Sequence, residues 1–239
     1  GLRVIYDASH AFNVRKNDIS ILNHGDLSVL SFHATKVFNT FEGGAIISHD
    51  LKTKQRIDYL KNFGFAGETR IVAPGINAKM NEVEAAFGLL QLKHIDKALD
   101  ERKAIYQRYC EMLDGLEGLT FVDVPADVSW NHAYFPVLIE PHFGMSRDGV
   151  YELFKADAIL TRRYFYPLIS SFAMYRGFPT SAEEHLPVAN DIAGKVLCLP
   201  IYPGMTLEEQ DRVVNALKRA SLVGQAQGNE PTPVTEIAV

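Results

Sequence analysis

Apolar and polar positions divide the 239-residue chain into two stretches of different rhythm. In the first, residues 2–6, 27–32 and 44–48 are short, largely apolar runs. Runs of this length without strict alternation mark strands covered on both faces, as in a parallel α/β sheet. Asp50-Leu51-Lys52 opens an amphipathic helix to about residue 62, where Gly64 and Gly67 stop it. Residues 80–116 read as one long helix, because Val83, Phe87, Leu90 and His94 recur at helical spacing with charges on the other face. From residue 120 the pattern becomes α+β. Residues 134–139 and 158–166 read as strands flanking a helix capped by Ser146, and residues 196–200 as a further short strand. Thr206-Leu207-Glu208-Glu209 is a capping box that opens a last helix to about residue 220. Beyond it, residues 224–239 are polar and aperiodic, with Pro231 and Pro233, and read as a disordered tail. The expected domains are therefore residues 1–116 and 117–223, with 224–239 as the tail.

Composition removes several classes of function. A net charge of -5 and a pI near 5.9 leave no basic surface for nucleic acid. No apolar run approaches the ~20 residues that span a bilayer, so the cytoplasm is the expected location. Cys110 and Cys198 lie far apart without metal-ligand spacing, so they read as buried thiols and no metal site is expected. The chain also enters its first buried-type strand almost at once, which implies a missing upstream segment.

The candidate chemistry lies where strands end. Ser31-Phe32-His33-Ala34-Thr35-Lys36 closes the second strand with a polar turn and a single lysine, and Gly43-Gly44 leads into the third strand. Ligands of α/β sheets bind outside the carboxyl ends of strands, where partial burial can tune an amine for Schiff-base chemistry. Taken alone, Lys36 reads as a solvated loop residue, as most lone lysines do. Asp7 changes that picture. It ends the first strand, so parallel strands would bring Asp7 and Lys36 to one rim. There they would bracket a pyridine ring whose nitrogen needs an acidic partner to stay protonated. By itself an aspartate in this place is more often a cap or turn residue.

Asp7-Ala8-Ser9-His10-Ala11-Phe12, Gly25-Asp26, the 31–36 segment and Glu42-Gly43-Gly44 together resemble the active-site core of the DegT/DnrJ/EryC1/StrS sugar aminotransferases. The similarity continues through Asn62-Phe63-Gly64-Phe65, residues 75–82, Ala85-Ala86-Phe87-Gly88, Gln91-Leu92 and Arg102. It reaches Arg163-Tyr164-Phe165-Tyr166-Pro167-Leu168, Leu186-Pro187-Val188-Ala189 and Leu199-Pro200-Ile201-Tyr202. The fold this implies is α/β, a fold-type-I transferase of the pyridoxal 5′-phosphate class, with part of a large-domain sheet and a smaller α+β C-terminal domain.

The resemblance also implies roles. Lys36 matches the Schiff-base lysine and Asp7 the partner of the pyridinium nitrogen. His10 matches the position beside the cofactor ring, although a lone His10 also reads as a core histidine. Ser31 matches the hydroxyl on the cofactor phosphate. Asn77 matches an asparagine that reaches the cofactor phosphate of the neighbouring subunit in a homodimer. Tyr164 and Tyr166 fall in a segment that approaches the sugar, and they read equally as core aromatics. The implied reaction moves an amino group from glutamate to a nucleotide-linked ketosugar such as dTDP-4-keto-6-deoxyglucose, in deoxyaminosugar and O-antigen or lipopolysaccharide synthesis. Lys36 argues against the related dehydratases, which carry histidine there. A non-catalytic remnant of the same fold is the competing reading. Two positions depart from the family pattern: Asn77-Ala78-Lys79 stands where many relatives have Asn-Tyr-Arg, and Thr40-Phe41-Glu42 replaces a glycine-containing approach. Relatives also carry a long segment ahead of the strand that ends at Asp7. The resemblance therefore implies a truncated chain that is not a competent enzyme by itself.

Overall fold

The computed structural model describes residues 1–227. The first strands along the chain are β1 (Ile5–Asp7), the short pair β2 (Arg15–Lys16) and β3 (Ile19–Ser20), then β4 (Leu27–Ser31) and β5 (Gly44–Ser48). β1 runs parallel to β4, with Asp7 beside Val29, so the two strands end on the same rim. β5 lies antiparallel to β4, against the expectation of a parallel sheet. The connecting residues 32–43 contain no helix, and a parallel return needs a crossover that is usually helical.

The sheet order is β1-β4-β5, which leaves β1 at an edge. Pleating sends Ser28 and Leu30 of β4 to one face, where both are buried. The opposite face shows Ile5, Val29 and Ile46 to solvent. The run at residues 2–6, expected to be buried, is exposed, with Leu2 at 95%. β1 has a single neighbouring strand among the described residues, and that accounts for the difference.

Helix α1 (Leu51–Leu60) starts at Asp50, whose carboxylate accepts the Thr53 N–H at 2.8 Å. It ends in a turn where the Gly64 N–H donates to the Tyr59 carbonyl at 2.7 Å. Gly64 has φ +84°, and a Cβ there would sit 1.7 Å from the Ala73 carbonyl oxygen, so only glycine fits. The single long helix expected over residues 80–116 is two helices, α2 (Glu82–Leu92) and α3 (Ile95–Leu113). Asn81 and Glu84 form a capping box at the start of α2. At its end, Lys93 and His94 donate to the Leu90 and Gln91 carbonyls, three residues back, and this closes the helix. Neither proline nor glycine marks that break, so the apolar spacing runs through it.

The remaining elements are β6 (Leu119–Phe121), β7 (Val128–Ser129), β8 (Phe135–Ile139), α4 (Arg147–Ala156), α5 (Pro187–Lys195), β9 (Val196–Leu199) and α6 (Leu207–Gln227). β7 returns to pair with β2, whereas β6, β8 and β9 make an antiparallel sheet of order β6-β8-β9. The caps match the sequence reading. The Ser146 hydroxyl accepts the Gly149 N–H, and Thr206 and Glu209 bond reciprocally. The strand expected at 158–166 is absent. Only Arg162 bridges to Cys198, and the chain then turns with the Tyr166 N–H donating to the Arg163 carbonyl at 2.7 Å. α5 is unforeseen, although Pro187 at its first position is a helix-start signal. α6 continues to Gln227 where a tail was expected from residue 224; residues 228–239 lie outside the described residues.

The chain divides into two compact units. One is Gly1–Arg102 with Val124–Ala133, and the other is Lys103–Asp123 with the chain from Tyr134 onward. The boundary thus falls inside α3 rather than at residue 116, because residues 103–113 pack with the second unit. The core of that unit gathers Tyr109, Phe135, Val137, Phe154, Leu197 and Leu217, all essentially inaccessible to solvent. The Phe135 ring lies 4.8 Å from that of Tyr106 and 5.0 Å from that of Tyr109. Phe135→Ala is expected to cost this unit about 3–5 kcal/mol in urea unfolding, the usual effect of emptying a buried aromatic site. Cys198 is buried in β9 and its thiol is pushed up to about 11 by that burial. Cys110 is only half-buried, against the expectation of two buried thiols.

Candidate active site

The parallel pairing of β1 and β4 places Asp7 and Ser31 at the rim where both strands end. The chain leaves β1 through a tight turn, with the Ala8 N–H donating to the Val29 carbonyl at 2.9 Å and the Ala11 N–H to that of Ala8. This turn lifts His10 over the rim. Its Nε2 lies 3.1 Å from the Lys36 amine, across twenty-six residues of sequence. Aromatic packing joins the same two segments: Phe12 stacks on the buried Phe38 at 4.7 Å, and Phe32 meets Phe38 edge-on at 4.8 Å. Lys36 itself closes a turn by donating its N–H to the His33 carbonyl at 2.9 Å.

The electrostatics are those of an anion beside an amine. The Ser9 hydroxyl and N–H both donate to Asp7 Oδ1 and hold its carboxyl below the usual carboxylate range, with smaller help from His10 and Lys36. Asp7 is therefore ionised at neutral pH. Burial, then the nearby Lys36 charge, lowers the His10 pKa, and Asp7 opposes this. His10 is thus expected to titrate below the ordinary histidine value when followed by NMR. Lys36→Ala, which removes a repelling charge, should move that midpoint upward.

Of the other expected residues, Ser31 stands at this rim. The Ser31 hydroxyl accepts the His33 N–H at 3.3 Å, at the base of the lysine loop. Asn77 is exposed, bridges to Asn62, and accepts a hydrogen bond from Lys79 at 2.8 Å. Lys79 also lies over the Phe63 ring at 4.6 Å, so the lysine found where relatives carry arginine binds Asn77 directly. Thr40 is buried and its methyl group faces Gly88 of α2. Tyr164 and Tyr166 belong to the second unit. There Tyr164 stacks on Phe165 at 4.7 Å, and the Arg147 guanidinium lies 4.5 Å from the Tyr166 ring.

One residue near the site carries no sequence signal. Asn131 is 2% exposed and its amide donates to the carbonyls of His10 at 2.9 Å and Phe12 at 2.8 Å. It stands in a loop before β8, and no spacing links it to residue 10.

A family model, the DegT/DnrJ/EryC1/StrS aminotransferase family, matches residues 1–218. The chain belongs to this family. It is 51% identical, over 87% of its length, to the dTDP-4-amino-4,6-dideoxy-D-glucose transaminase of Escherichia coli, and covers 56% of that protein. It is 46% identical, over 91% of its length, to the enzyme of the same name from Shigella dysenteriae, and covers 59% of it. The chain thus spans a little over half the length of these relatives. Among solved structures, DesI in the presence of its TDP-sugar product superposes with a TM-score of 0.84 at 34% identity, over 95% of this chain and 58% of that one. The α/β architecture expected for a fold-type-I transferase agrees with this match. Among the described residues, no helix is long and apolar enough to cross a membrane, and no group of three His, Cys, Asp or Glu could hold a metal ion.

Proposed function

We propose that this chain carries the lysine and the carboxylate of a pyridoxal 5′-phosphate-dependent aminotransferase. Its substrates on this reading are glutamate and a nucleotide-linked ketosugar, dTDP-4-keto-6-deoxyglucose, and it acts as a cytoplasmic homodimer. The observation that carries the reading is the rim itself. An ionised Asp7 at the end of one strand and a Lys36 amine 3.1 Å from His10 come together from separate parts of the chain. This set fits the cofactor, with an anion for the ring nitrogen, an amine for the carbonyl carbon, and the Ser31 hydroxyl on the same rim for the phosphate. The two relatives named for dTDP-4-amino-4,6-dideoxy-D-glucose support the choice of sugar.

When bound, pyridoxal phosphate supplies an electron sink for the carbon that loses its proton. The chain supplies the rest. Lys36 Nζ accepts the proton from the donor's α-carbon and later returns one to the sugar carbon, as general base and then general acid. Asp7 keeps a proton on the ring nitrogen by pairing with it. His10 orients the lysine amine, and Ser31 donates to a phosphate oxygen. Asn77 reaches the phosphate held by the other subunit, and Tyr164 and Tyr166 approach the sugar.

The test joins the chain to the segment that relatives carry ahead of the strand ending at Asp7, supplies pyridoxal phosphate, glutamate and dTDP-4-keto-6-deoxyglucose, and separates products by chromatography with mass detection. Formation of 2-oxoglutarate together with the 4-amino sugar nucleotide is expected. 2-Oxoglutarate without an aminated sugar would remove this substrate from the reading, and the absence of both products would overturn it.

A further inference from the structure

The geometry points to Asn131 as a positioning residue that sets the Lys36 amine through His10, an inference that rests on the assignment of Lys36 just given. Asn131 joins the turn after β1 from 121 residues away in sequence, and its two amide hydrogens are divided between the His10 and Phe12 carbonyls. The first of these carbonyls is that of His10 itself, and the second lies two residues on, past the buried Ala11. An amide that bridges both therefore fixes the backbone that leaves the imidazole's own stem, from His10 through Phe12. His10 Nε2 then meets Lys36 Nζ at 3.1 Å.

The clamp is itself held rigidly. The Asn131 side-chain oxygen accepts the Ala133 N–H at 3.2 Å, which fixes the amide orientation. The Arg102 guanidinium of α3 donates to the His132 and Ala133 carbonyls, each at 3.4 Å. On the other side, Ser129 and Val128 pair with Arg15 and Lys16 in the β2–β7 ladder, so the segment that carries Asn131 is tied at both ends. A buried amide whose hydrogen bonds lie inside the protein costs little to keep and much to disturb, because each carbonyl left without a donor loses its partner where water is scarce. A purely structural role for Asn131 would need these two carbonyls satisfied and nothing more. A positioning role also requires that its loss be felt at Lys36, and felt only through His10.

That difference can be measured without cofactor. The full chain is acetylated at mildly alkaline pH with limiting acetic anhydride, and the labelling of Lys36 relative to the exposed Lys52 is read by peptide mapping. In the wild type the contact with His10 should shield Lys36. Asn131→Ala and His10→Ala should each raise the Lys36:Lys52 ratio by roughly fivefold, the factor expected for one lost hydrogen bond of ordinary strength. The double variant should go no further than either single one, since both act on the same contact. An unchanged ratio in Asn131→Ala would overturn the proposal, and so would a double variant whose effect is the product of the two. If Asn131→Ala lacks the wild-type circular dichroism, Asn131→Ser, which keeps a single donor, replaces it with a smaller rise expected and an unchanged ratio again overturning. Because no cofactor is present, a failed aminotransferase assay leaves this result standing, and an unchanged ratio leaves the Lys36 assignment intact.

Discussion

Lys36→Ala is expected to abolish covalent capture of pyridoxal phosphate. In the unaltered chain, borohydride should fix the cofactor to one peptide, the one containing Lys36, out of all the lysines present. In the variant, that mass shift should vanish rather than move elsewhere. The reason is geometric. Lys36 is part-buried, its loop is closed by its own N–H to the His33 carbonyl, and its amine is held at 3.1 Å by His10. An exposed lysine such as Lys52 has no comparable setting. Loss of the general acid and base should also slow the reaction with glutamate by roughly 10²- to 10⁴-fold, the usual contribution of such a group. A label on another lysine in the unaltered protein would remove Lys36 from the site.

The second large effect is expected at Asp7. Asp7→Asn keeps the shape of the side chain and its ability to accept from Ser9, but it removes the negative charge. A hydrogen bond to a charged group contributes about 1.5–3 kcal/mol, which at 1.4 kcal/mol per tenfold corresponds to a rate lower by roughly 10- to 150-fold. The fall should appear in the rate of the glutamate half-reaction while the Lys36 label is still formed. Since Ser9 already holds the Asp7 carboxyl below the usual range, the native rate should show no loss from Asp7 protonation anywhere near neutral pH. Its loss belongs on the acid side, below the ordinary carboxylate value. A variant that turns over at the native rate would show that the ring nitrogen is supported by another group.

What the sequence disclosed follows from how local each feature is. Asp7, Ser31 and Lys36 could be placed because each ends a strand or follows one within a few residues, and the parallel pairing then brought the strand ends together. The caps at Ser146 and Thr206 were legible for the same reason, since a cap is settled within four residues. The direction of β5 was not, because an apolar run looks alike whichever way its neighbour points. The break between α2 and α3 was hidden because Lys93 and His94 are not helix breakers and the apolar spacing continues across them. The segment at 158–166 has the composition of a strand but only one bridge, at Arg162, with a turn at once following. Asn131 was beyond reach entirely: its partners are carbonyls, which no side-chain pattern records. Asn77, Tyr164 and Tyr166 owe their suggested roles to resemblance, and those remain proposals to be tested on the assembled enzyme.

The chain threads the first unit twice, before and after residues 103–123. Genetic dissection of this protein therefore has a rule that residue numbers alone would hide. A piece ending at Arg102 contains every strand end and loop of the lysine site, yet it loses the strand that pairs with Arg15 and Lys16 and the amide that holds the carbonyls of His10 and Phe12. Such a piece would carry the reactive residues without the means to hold them in register. A minimal version would instead have to keep residues 124–133, joined through a linker or supplied as a second peptide.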